Sequence, residues 1–309
     1  MTEPPARAMS DAFDPGGAPG PSGAGGAPGP SGAGGAPHSS HASAASKRSQ
    51  APSRRPLVSG NWKMHHDHIE ALHAVRDLGL RLKPEDVAAV DVSVHPPFTD
   101  IRTVQSLVDG EGIPIALGAQ HCSEHDAGPF TGEVSPRMLA RLGVRYVLVG
   151  HSERRQLYAM DDAVVAATLR AVLRHGMTPV CCVGETADER QAGRTEARLE
   201  HQLLAAIEKL APEEVAGMVL AYEPVWAIGS GAAATPVDAE DACGFLRSIV
   251  VREAGADTAA RLRIQYGGSA SPDNAADLVS EPDVDGLLVG GASLQAPAFL
   301  DIIRGVSGC

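Results

Sequence analysis

The sequence predicts a single closed (β/α)8 barrel that follows a low-complexity amino-terminal extension. Three observations lead to this prediction. Eight short apolar runs recur from residue 56 onward, amphipathic stretches separate them, and each run ends in glycine or a polar residue. Eight strand–helix units in about 250 residues fit a closed parallel barrel. We therefore divide the 309-residue chain into an extension over residues 1–55 and a barrel domain over residues 56–309.

The extension is rich in glycine, proline, alanine and serine. It holds too few bulky apolar side chains to offset the entropy of ordering, so we expect it to be disordered. Glycine recurs at every third position from Gly17 to Gly35, which is the spacing of a collagen triple helix. Most of these triplets contain only one proline, so we interpret the segment as a flexible linker; a misassigned start codon is the alternative.

The eight predicted strands are short apolar runs with a polar residue or glycine at the carboxyl end. They are Leu57–Asn61, Val90–Val94, Ile113–Gly118, Tyr146–Gly150, Thr178–Val183, Met218–Tyr222, Leu262–Tyr266 and Val284–Val289. An open, doubly wound sheet is the structural alternative, but it needs neither an eighth strand nor phosphate-binding glycines at the end of the chain.

Helical spacing and start signals fill the intervals between these strands. Leu199, Leu203 and Ile207 recur on one face of a helix. Three dipeptides, each a capping oxygen followed by a first-turn proline, predict helix starts. They are Ser135-Pro136, Thr235-Pro236 and Ser271-Pro272.

Composition narrows the classes of partner. The net charge of −12 argues against nucleic acid. It does not exclude a phosphorylated substrate, because local lysines and backbone dipoles decide binding in a site. The five cysteines are odd in number and no apolar signal segment precedes them, which favours reduced thiols and a cytoplasmic location. No stretch is long and apolar enough to cross a membrane, so we expect no membrane association.

Glu223 is the candidate general base. It follows the apolar run Met218–Tyr222 and therefore lies at the carboxyl end of a strand, where barrel enzymes place their catalytic groups. Pro224 restricts the backbone directly after the strand, and the glycines at 229 and 231 let the backbone approach a ligand closely. We expect the apolar segment 224–234 to act as a lid that desolvates the carboxylate and raises its pKa.

His151 is the candidate electrophile. It follows strand four within Gly150-His151-Ser152-Glu153-Arg154-Arg155, where the polar run begins a helix. The positive end of a helix dipole disfavours protonation of the imidazole. We therefore expect a neutral His151 that donates a hydrogen bond to a substrate carbonyl.

Asn61 and Lys63 follow the first strand. If the strand continues, its two-residue period places both side chains on the same side, in the mouth of the barrel. We expect Lys63 to supply positive charge for a phosphate and for a developing oxyanion, and Asn61 to hold that oxygen by hydrogen bonding.

Backbone N–H groups after the last strands are the candidate phosphate site. Gly229 belongs to the lid, Ser269 follows Tyr266-Gly267-Gly268, and Gly290-Gly291 closes strand eight. Barrel enzymes often bind phosphate after strands seven and eight, at a short helix amino terminus. The sequence therefore predicts phosphate binding by Gly229, Ser269, Gly290 and Gly291.

These motifs, AYEPVWAIGSG at 221–231, GHSERR at 150–155 and GNWKM at 60–64, resemble those of the triosephosphate isomerase family. The resemblance runs from Leu57 to about Arg304. It implies cofactor-independent interconversion of dihydroxyacetone phosphate and glyceraldehyde 3-phosphate, in glycolysis and gluconeogenesis. In that family a neutral histidine at a helix amino terminus polarises the substrate carbonyl, and a glutamate moves the proton. The same roles fall here on His151 and Glu223.

The resemblance also implies a homodimer. The loop Gly118–Glu133 corresponds to the segment that enters the neighbouring subunit, where it would reach Asn61 and Lys63 and where Glu133 would pair with Arg154. Several positions depart from the family pattern, with expected effects on dimer strength and lid motion. They are His121, Pro129, Met160 and Ala232–Ala234.

Two other functions remain open on sequence alone. A related isomerase of tetrulose phosphates uses the same proton chemistry on a longer substrate, and a non-catalytic barrel would bind phosphate only. We expect no metal, because His65, His66, His68 and His73 lack a further ligand to complete a site. Buried Cys182 is expected to pack rather than react, since no basic partner is evident beside it.

Overall fold

The computed structural model describes residues 54–228 and 234–308. Within them, eight parallel strands close into a barrel in sequential order, and the first strand pairs with the last. The strands are β1 Leu57–Asn61, β2 Asp91–His95, β3 Ala116–Ala119, β4 Tyr146–Val149, β5 Thr178–Val183, β6 Val219–Tyr222, β7 Arg263–Tyr266 and β8 Gly286–Val289. The predicted fold class is confirmed.

Helices connect successive strands on the outside of the barrel. They are α1 His68–Arg81, α2 Pro84–Ala88, α3 Ile101–Glu111, α4 Pro136–Arg141, α5 Ser152–Leu157, α6 Asp162–Arg174, α7 Ala187–Gln191, α8 Thr195–Ile207, α9 Pro212–Gly217, α10 Pro236–Ala254, α11 Ala256–Arg261, α12 Ala275–Ser280 and α13 Ala296–Ser307. Short 3-10 turns cover Val225–Ala227 and Gly291–Leu294. No helix in the described ranges is long and apolar enough to span a membrane.

Two of the three predicted helix starts are confirmed. Ser135 caps α4 by accepting from the Met138 amide, and Thr235 caps α10 within a capping box. The start at Ser271-Pro272 is wrong, since α12 begins at Ala275. The Ser271 amide instead donates to the side chain of Asn274 at 2.8 Å, which closes a turn before the helix.

The third strand begins later than the sequence predicts, at Ala116 rather than at Ile113. A tight turn, in which the Ile115 amide donates to the Ile113 carbonyl at 2.8 Å, precedes it. Pro114 lies at the centre of this turn and has no N–H for the strand ladder. Ile113 and Ile115 are nevertheless buried, so apolar character marked the core correctly but not the strand boundary.

Side chains alternate between the barrel interior and the helical layer. Tyr146 and Leu148 of β4 belong to the compact inner cluster, whereas Val147 and Val149 pack in the larger cluster with the helices. This alternation follows from the two-residue period of a strand. A strand that is buried on both faces has apolar residues at consecutive positions. The apolar runs in the sequence therefore predicted the strands.

A polar network crosses the interior beneath the barrel mouth. Ser93 Oγ donates to Ser59 Oγ at 2.9 Å, and Gln265 Nε2 donates to the same oxygen at 2.9 Å. His95 Nε2 lies 3.2 Å from Ser93 Oγ, and all four residues are fully buried. Because buried polar groups are costly unless paired, this network ties β1, β2 and β7 together.

The first described residues already contact the barrel. Arg54 Nε donates to Asp285 at 2.7 Å, and Arg55 Nε donates to Asp91 at 2.7 Å. The predicted division between extension and barrel remains a prediction, because residues 1–53 lie outside the described ranges.

His95 makes stability depend on pH. Burial lowers the pKa of His95 to about 4 from 6.5, so the unfolded chain binds a proton that the folded chain excludes. This contribution is complete above pH 6.5 and is lost as the pH falls towards 4. The wild-type chain should lose free energy of unfolding when the pH falls from 7 to 5, because His95 resists protonation. In His95→Gln that loss should be smaller by about 2 kcal/mol. Denaturant titrations at pH 7 and pH 5 measure the free energy of unfolding. The control is His73→Gln, because His73 is exposed. A pH dependence in His95→Gln equal to that of the wild type would contradict this role of His95.

Candidate active site

A cavity of about 350 Å³ opens at the carboxyl ends of the strands and gathers the predicted site residues. Asn61, Lys63, His151, Glu223, Ser269, Gly290 and Gly291 all line it. Gly229, predicted to bind phosphate from the lid, lies outside the described residues. Trp62, His65 and Ile228 also line the wall and were not predicted.

Glu223 is 1% exposed and lies immediately after β6. Its Oε2 accepts from the Ser152 amide at 2.8 Å, and its Oε1 lies 2.9 Å from His151 Nε2. The carboxylate thus accepts one hydrogen bond, from the residue after His151, while its other oxygen is close to the His151 ring without a hydrogen bond from the described residues. Ser152 belongs to the motif at 150–155, but no sequence signal indicates a role for its backbone amide.

His151 caps helix α5. Its Nδ1 accepts from the Glu153 amide at 3.3 Å, which leaves Nε2 to carry the proton of a neutral ring. Nε2 lies 2.9 Å from Glu223 Oε1 without forming a hydrogen bond to it. The predicted placement of His151 at a helix amino terminus is confirmed, and the cap fixes which nitrogen donates.

The charge states differ from the sequence prediction. Burial acts to raise the pKa of Glu223, but the His151 ring and the Ser152 amide outweigh it, so that pKa lies below its ordinary value. Burial acts to lower the pKa of His151, but the Glu223 carboxylate outweighs it and that pKa is raised. The predicted upward shift of the Glu223 pKa is therefore wrong in this arrangement, and so is the expectation that the helix amino terminus disfavours protonation of His151. Both shifts depend on the contact between the two groups and end when Glu223 moves away.

Asn61 and Lys63 both face the cavity, but not for the predicted reason. Strand β1 ends at Asn61, and Lys63 lies beyond it with a φ of 54°, in the left-handed region. The Lys63 amide donates to Asn61 Oδ1 at 3.1 Å. Lys63 therefore reaches the cavity through a turn stabilised by Asn61 rather than along a continuing strand.

The Lys63 ammonium is paired with Glu153. Nζ lies 2.6 Å from Glu153 Oε1, and the pair is partly exposed, at 28% and 43%. Gly290 lies beside the lysine stem, since a Cβ there would be 3.5 Å from Lys63 Cε. The positive charge is thus at the edge of the predicted phosphate glycines, and Glu153 acts as its resting counter-ion.

Two glycines make room for Glu223. A Cβ on Gly184 would lie 1.8 Å from the Glu223 carbonyl oxygen, and a Cβ on Gly267 would lie 3.0 Å from Glu223 Cγ. Larger residues would displace the base, so these positions fix its backbone and side chain. Spacing alone did not reveal this role for Gly184.

A buried carboxylate holds the first turn of the lid. Glu185 Oε1 accepts from Trp226 Nε1 at 2.8 Å and from the Tyr222 hydroxyl at 3.1 Å. Glu185 is fully buried, so this contact anchors the 3-10 turn next to Glu223. Residues 229–233 of the predicted lid lie outside the described ranges.

Three further expectations concern residues around the site. Burial, reinforced by the Glu223 carboxylate, raises the pKa of the Cys182 thiol well above its ordinary value, which favours packing over nucleophilic chemistry. His66 packs edge-on against Trp62, with ring centroids 5.0 Å apart. Within the chain, Glu133 lies 4.0 Å from His121, while Arg154 stacks on the Tyr158 ring. A pairing of Glu133 with Arg154 between subunits remains a prediction.

The Ser152 amide supplies a direct test of what sets the charge of Glu223. Ser152 is the first residue of α5, where proline is tolerated, and His151 has the extended ψ of 140° that proline requires before it. Ser152→Pro removes the N–H donor, so the pKa of Glu223 should be higher in Ser152→Pro than in Ser152→Ala. Carbon-13 NMR titration of labelled glutamate measures it. Equal pKa values in the two variants would contradict this assignment.

Comparison with known proteins agrees with the geometry. Residues 56–306 match the family model described as triosephosphate isomerase. The chain is 49% identical to triosephosphate isomerase of Mycobacteroides abscessus over 80% of its own length and 95% of the relative. It is 48% identical to that of Cutibacterium acnes and 46% identical to that of Streptomyces coelicolor, over 81% and 82% of the chain and 98% of each relative. The chain therefore belongs to the triosephosphate isomerase family.

Proposed function

We propose that Glu223, His151 and Lys63 carry out the isomerase activity of this family, interconverting dihydroxyacetone phosphate and glyceraldehyde 3-phosphate. The observation that carries the proposal is the contact of a buried carboxylate with the Nε2 of a capped histidine, beside a lysine, around one cavity. A base, an electrophile and a cation are what proton transfer next to a carbonyl requires.

Substrate binding rests on the phosphate. The backbone after β7 and β8 supplies N–H groups at Ser269, Gly290 and Gly291, and Lys63 supplies positive charge beside them. Gly229 would add an N–H group from the lid. A bound phosphate dianion competes with Glu153 for the lysine, so we expect Lys63 to shift its pairing towards the substrate.

The proton step begins when Glu223 leaves the Ser152 amide. In the absence of that donor and of the His151 contact, burial alone acts on the carboxylate and raises its pKa, which makes it a stronger base. Glu223 then takes a proton from the carbon next to the carbonyl. The C–H electron pair forms the enediol double bond, and the carbonyl pair moves to oxygen.

His151 stabilises that oxygen. Its Nε2–H, directed into the cavity by the Nδ1 contact with the Glu153 amide, donates to the developing oxyanion. With Glu223 withdrawn, the group that raised the pKa of His151 is gone, and the ring remains neutral. Asn61 and Lys63 add a dipole and a charge. His151 gives its Nε2 proton to that oxygen and takes the proton of the neighbouring hydroxyl, so the ring ends neutral and the second oxygen becomes the new carbonyl. Glu223 returns its proton to the carbon that carried the first carbonyl, and the enediol electron pair forms that C–H bond. Atoms therefore balance without a cofactor.

Nothing in the described cavity favours the longer tetrulose phosphates or a non-catalytic role. A coupled assay with the two triose phosphates beside a tetrulose phosphate separates the three functions. Preference for the triose phosphates supports the proposal, and turnover of the tetrulose phosphate alone would overturn it.

We also propose that the chain forms a homodimer through the loops beside the cavity. Large apolar side chains are exposed there, including Met64 at 93%, Leu157 at 74%, Tyr158 at 67% and Phe130 at 40%. Water contact with so many apolar groups near one site favours a partner surface. The division into an extension over residues 1–55 and a barrel domain over residues 56–309 also stays a proposal. Four cysteines in the described ranges are free and buried, which supports the proposed cytoplasmic location.

Replacing Glu223 tests the mechanism. Glu223→Gln keeps the shape of the side chain but removes the base, so kcat should fall by about 10²–10⁴-fold or more. Competitive inhibition by inorganic phosphate should persist, because the phosphate contacts remain. Exposed Glu208→Gln is the matched control and should leave kcat unchanged. Wild-type turnover in Glu223→Gln would refute the assigned role.

Sedimentation tests the dimer. The chain should sediment with twice the mass of one subunit, and Met64→Glu should shift it towards the monomer, because a charge in an apolar interface is poorly solvated. A wild-type chain that sediments as a monomer at micromolar concentration would contradict the proposal.

A further inference from the structure

Lys63 has a backbone conformation that its side chain opposes. Its φ of 54° lies in the left-handed region, which residues other than glycine, asparagine and aspartate seldom adopt. Such strain persists only where surrounding contacts over-determine it, and it concentrates at functional sites. The conformation directs Lys63 towards the cavity rather than along the line of β1. Some contact must therefore hold this peptide in place.

Gln120 supplies that contact. It follows the last residue of β3, and its Nε2 donates to the Lys63 carbonyl at 2.7 Å and to the His95 carbonyl at 2.9 Å. A primary amide has two N–H hydrogens, so it can donate one hydrogen bond to each of these two carbonyls. The single side chain thus ties the exits of β1 and β2 to that of β3.

The remaining bonds around Lys63 complete the restraint. On its amino side, the Lys63 amide donates to Asn61 Oδ1, and the preceding Trp62 amide donates to the His95 carbonyl at 3.2 Å. Those bonds fix the peptide that enters Lys63. Gln120 holds the Lys63 carbonyl on the other side of the residue. Rotation about the φ of Lys63 would therefore break either the bond to Asn61 or the bond to Gln120.

Gln120 does not line the cavity, although it adjoins residues that do. It is half-buried, and both of its measured bonds go to backbone oxygens rather than to side chains of the site. A role in contacting substrate is therefore not indicated. Its two contacts restrain the backbone at the strand ends, one of them at Lys63 itself.

We propose that Gln120 is a positioning residue that holds Lys63 in its left-handed conformation and thereby places the ammonium group for catalysis. The proposal rests on the proposed function, because it assumes that the charge of Lys63 acts on substrate. Without the Gln120 donor, Lys63 relaxes to negative φ and its ammonium leaves the edge of the phosphate glycines. Phosphate binding and oxyanion stabilisation are then both weakened.

The test compares Gln120→Met with Gln265→Met in the full chain. Methionine keeps the length of glutamine and removes the amide donor. Gln265 is a matched control, because its Nε2 also joins backbone carbonyls of two strands, at Leu57 and Leu287, but inside the barrel and away from the cavity. Each variant is characterised by kcat and KM with both triose phosphates, by Tm, and by a crystal structure.

We expect Gln120→Met to lower kcat/KM by about 100-fold, with KM raised and kcat reduced, since a displacement of about 1 Å costs that much at a catalytic group. Its crystal structure should show Lys63 at negative φ. Gln265→Met should lower Tm while leaving kcat and KM within a few-fold of wild type.

Two results would overturn the positioning role. One is a Gln120→Met enzyme with wild-type kcat and KM, and the other is Lys63 retaining positive φ in its crystal structure. If Gln120→Met does not fold, Gln120→Ala replaces it, because water can enter the smaller site and satisfy the carbonyls. An inactive wild-type chain would refute the proposed function instead, while the crystal structures still decide where Lys63 lies.

Discussion

The contacts of the buried Glu223 carboxylate with Ser152 and His151 are the constraint on which the rest of the site depends. A carboxylate at 1% exposure is costly unless other groups compensate for the lost water. The Ser152 amide donates to Oε2, and the His151 ring lies 2.9 Å from Oε1, both from the end of β4, which lies one strand beyond β5. His151 Nδ1 accepts a hydrogen bond from the Glu153 amide, so the proton of the neutral ring is on Nε2, the nitrogen that faces the cavity. The resting contacts therefore keep the base charged, and their loss on substrate binding strengthens it.

The barrel provides this arrangement through backbone clearance as much as through side chains. Gly184 and Gly267 leave the space that the Glu223 backbone and side chain occupy, and Glu185 anchors the turn that follows. After β1, Asn61 and Gln120 restrain the strained Lys63 peptide. Base and cation are thus fixed by different strands, and the closed sheet sets the distance between them.

The sequence predicted the fold because strands buried on both faces read as unbroken apolar runs, and it predicted Glu223 and His151 because both end such runs. It misjudged features that depend on contacts distant in the chain. The turn at Lys63 looked like a continuing strand, since positive φ at a lysine has no sequence signal. The pKa of Glu223 was predicted from burial alone, because no sequence pattern indicates that an amide 71 residues away donates to its carboxylate. Gln120 was missed because its partners are backbone oxygens of two other strands.

The most direct measurement of the central claim is isomerisation in D2O, followed by proton NMR. If Glu223 moves the proton through an enediolate, the carboxylic proton exchanges with solvent in part of the turnovers, and deuterium appears at the carbon that receives it. Complete conversion with no deuterium in either triose phosphate would mean direct transfer between the carbons, and would contradict the account.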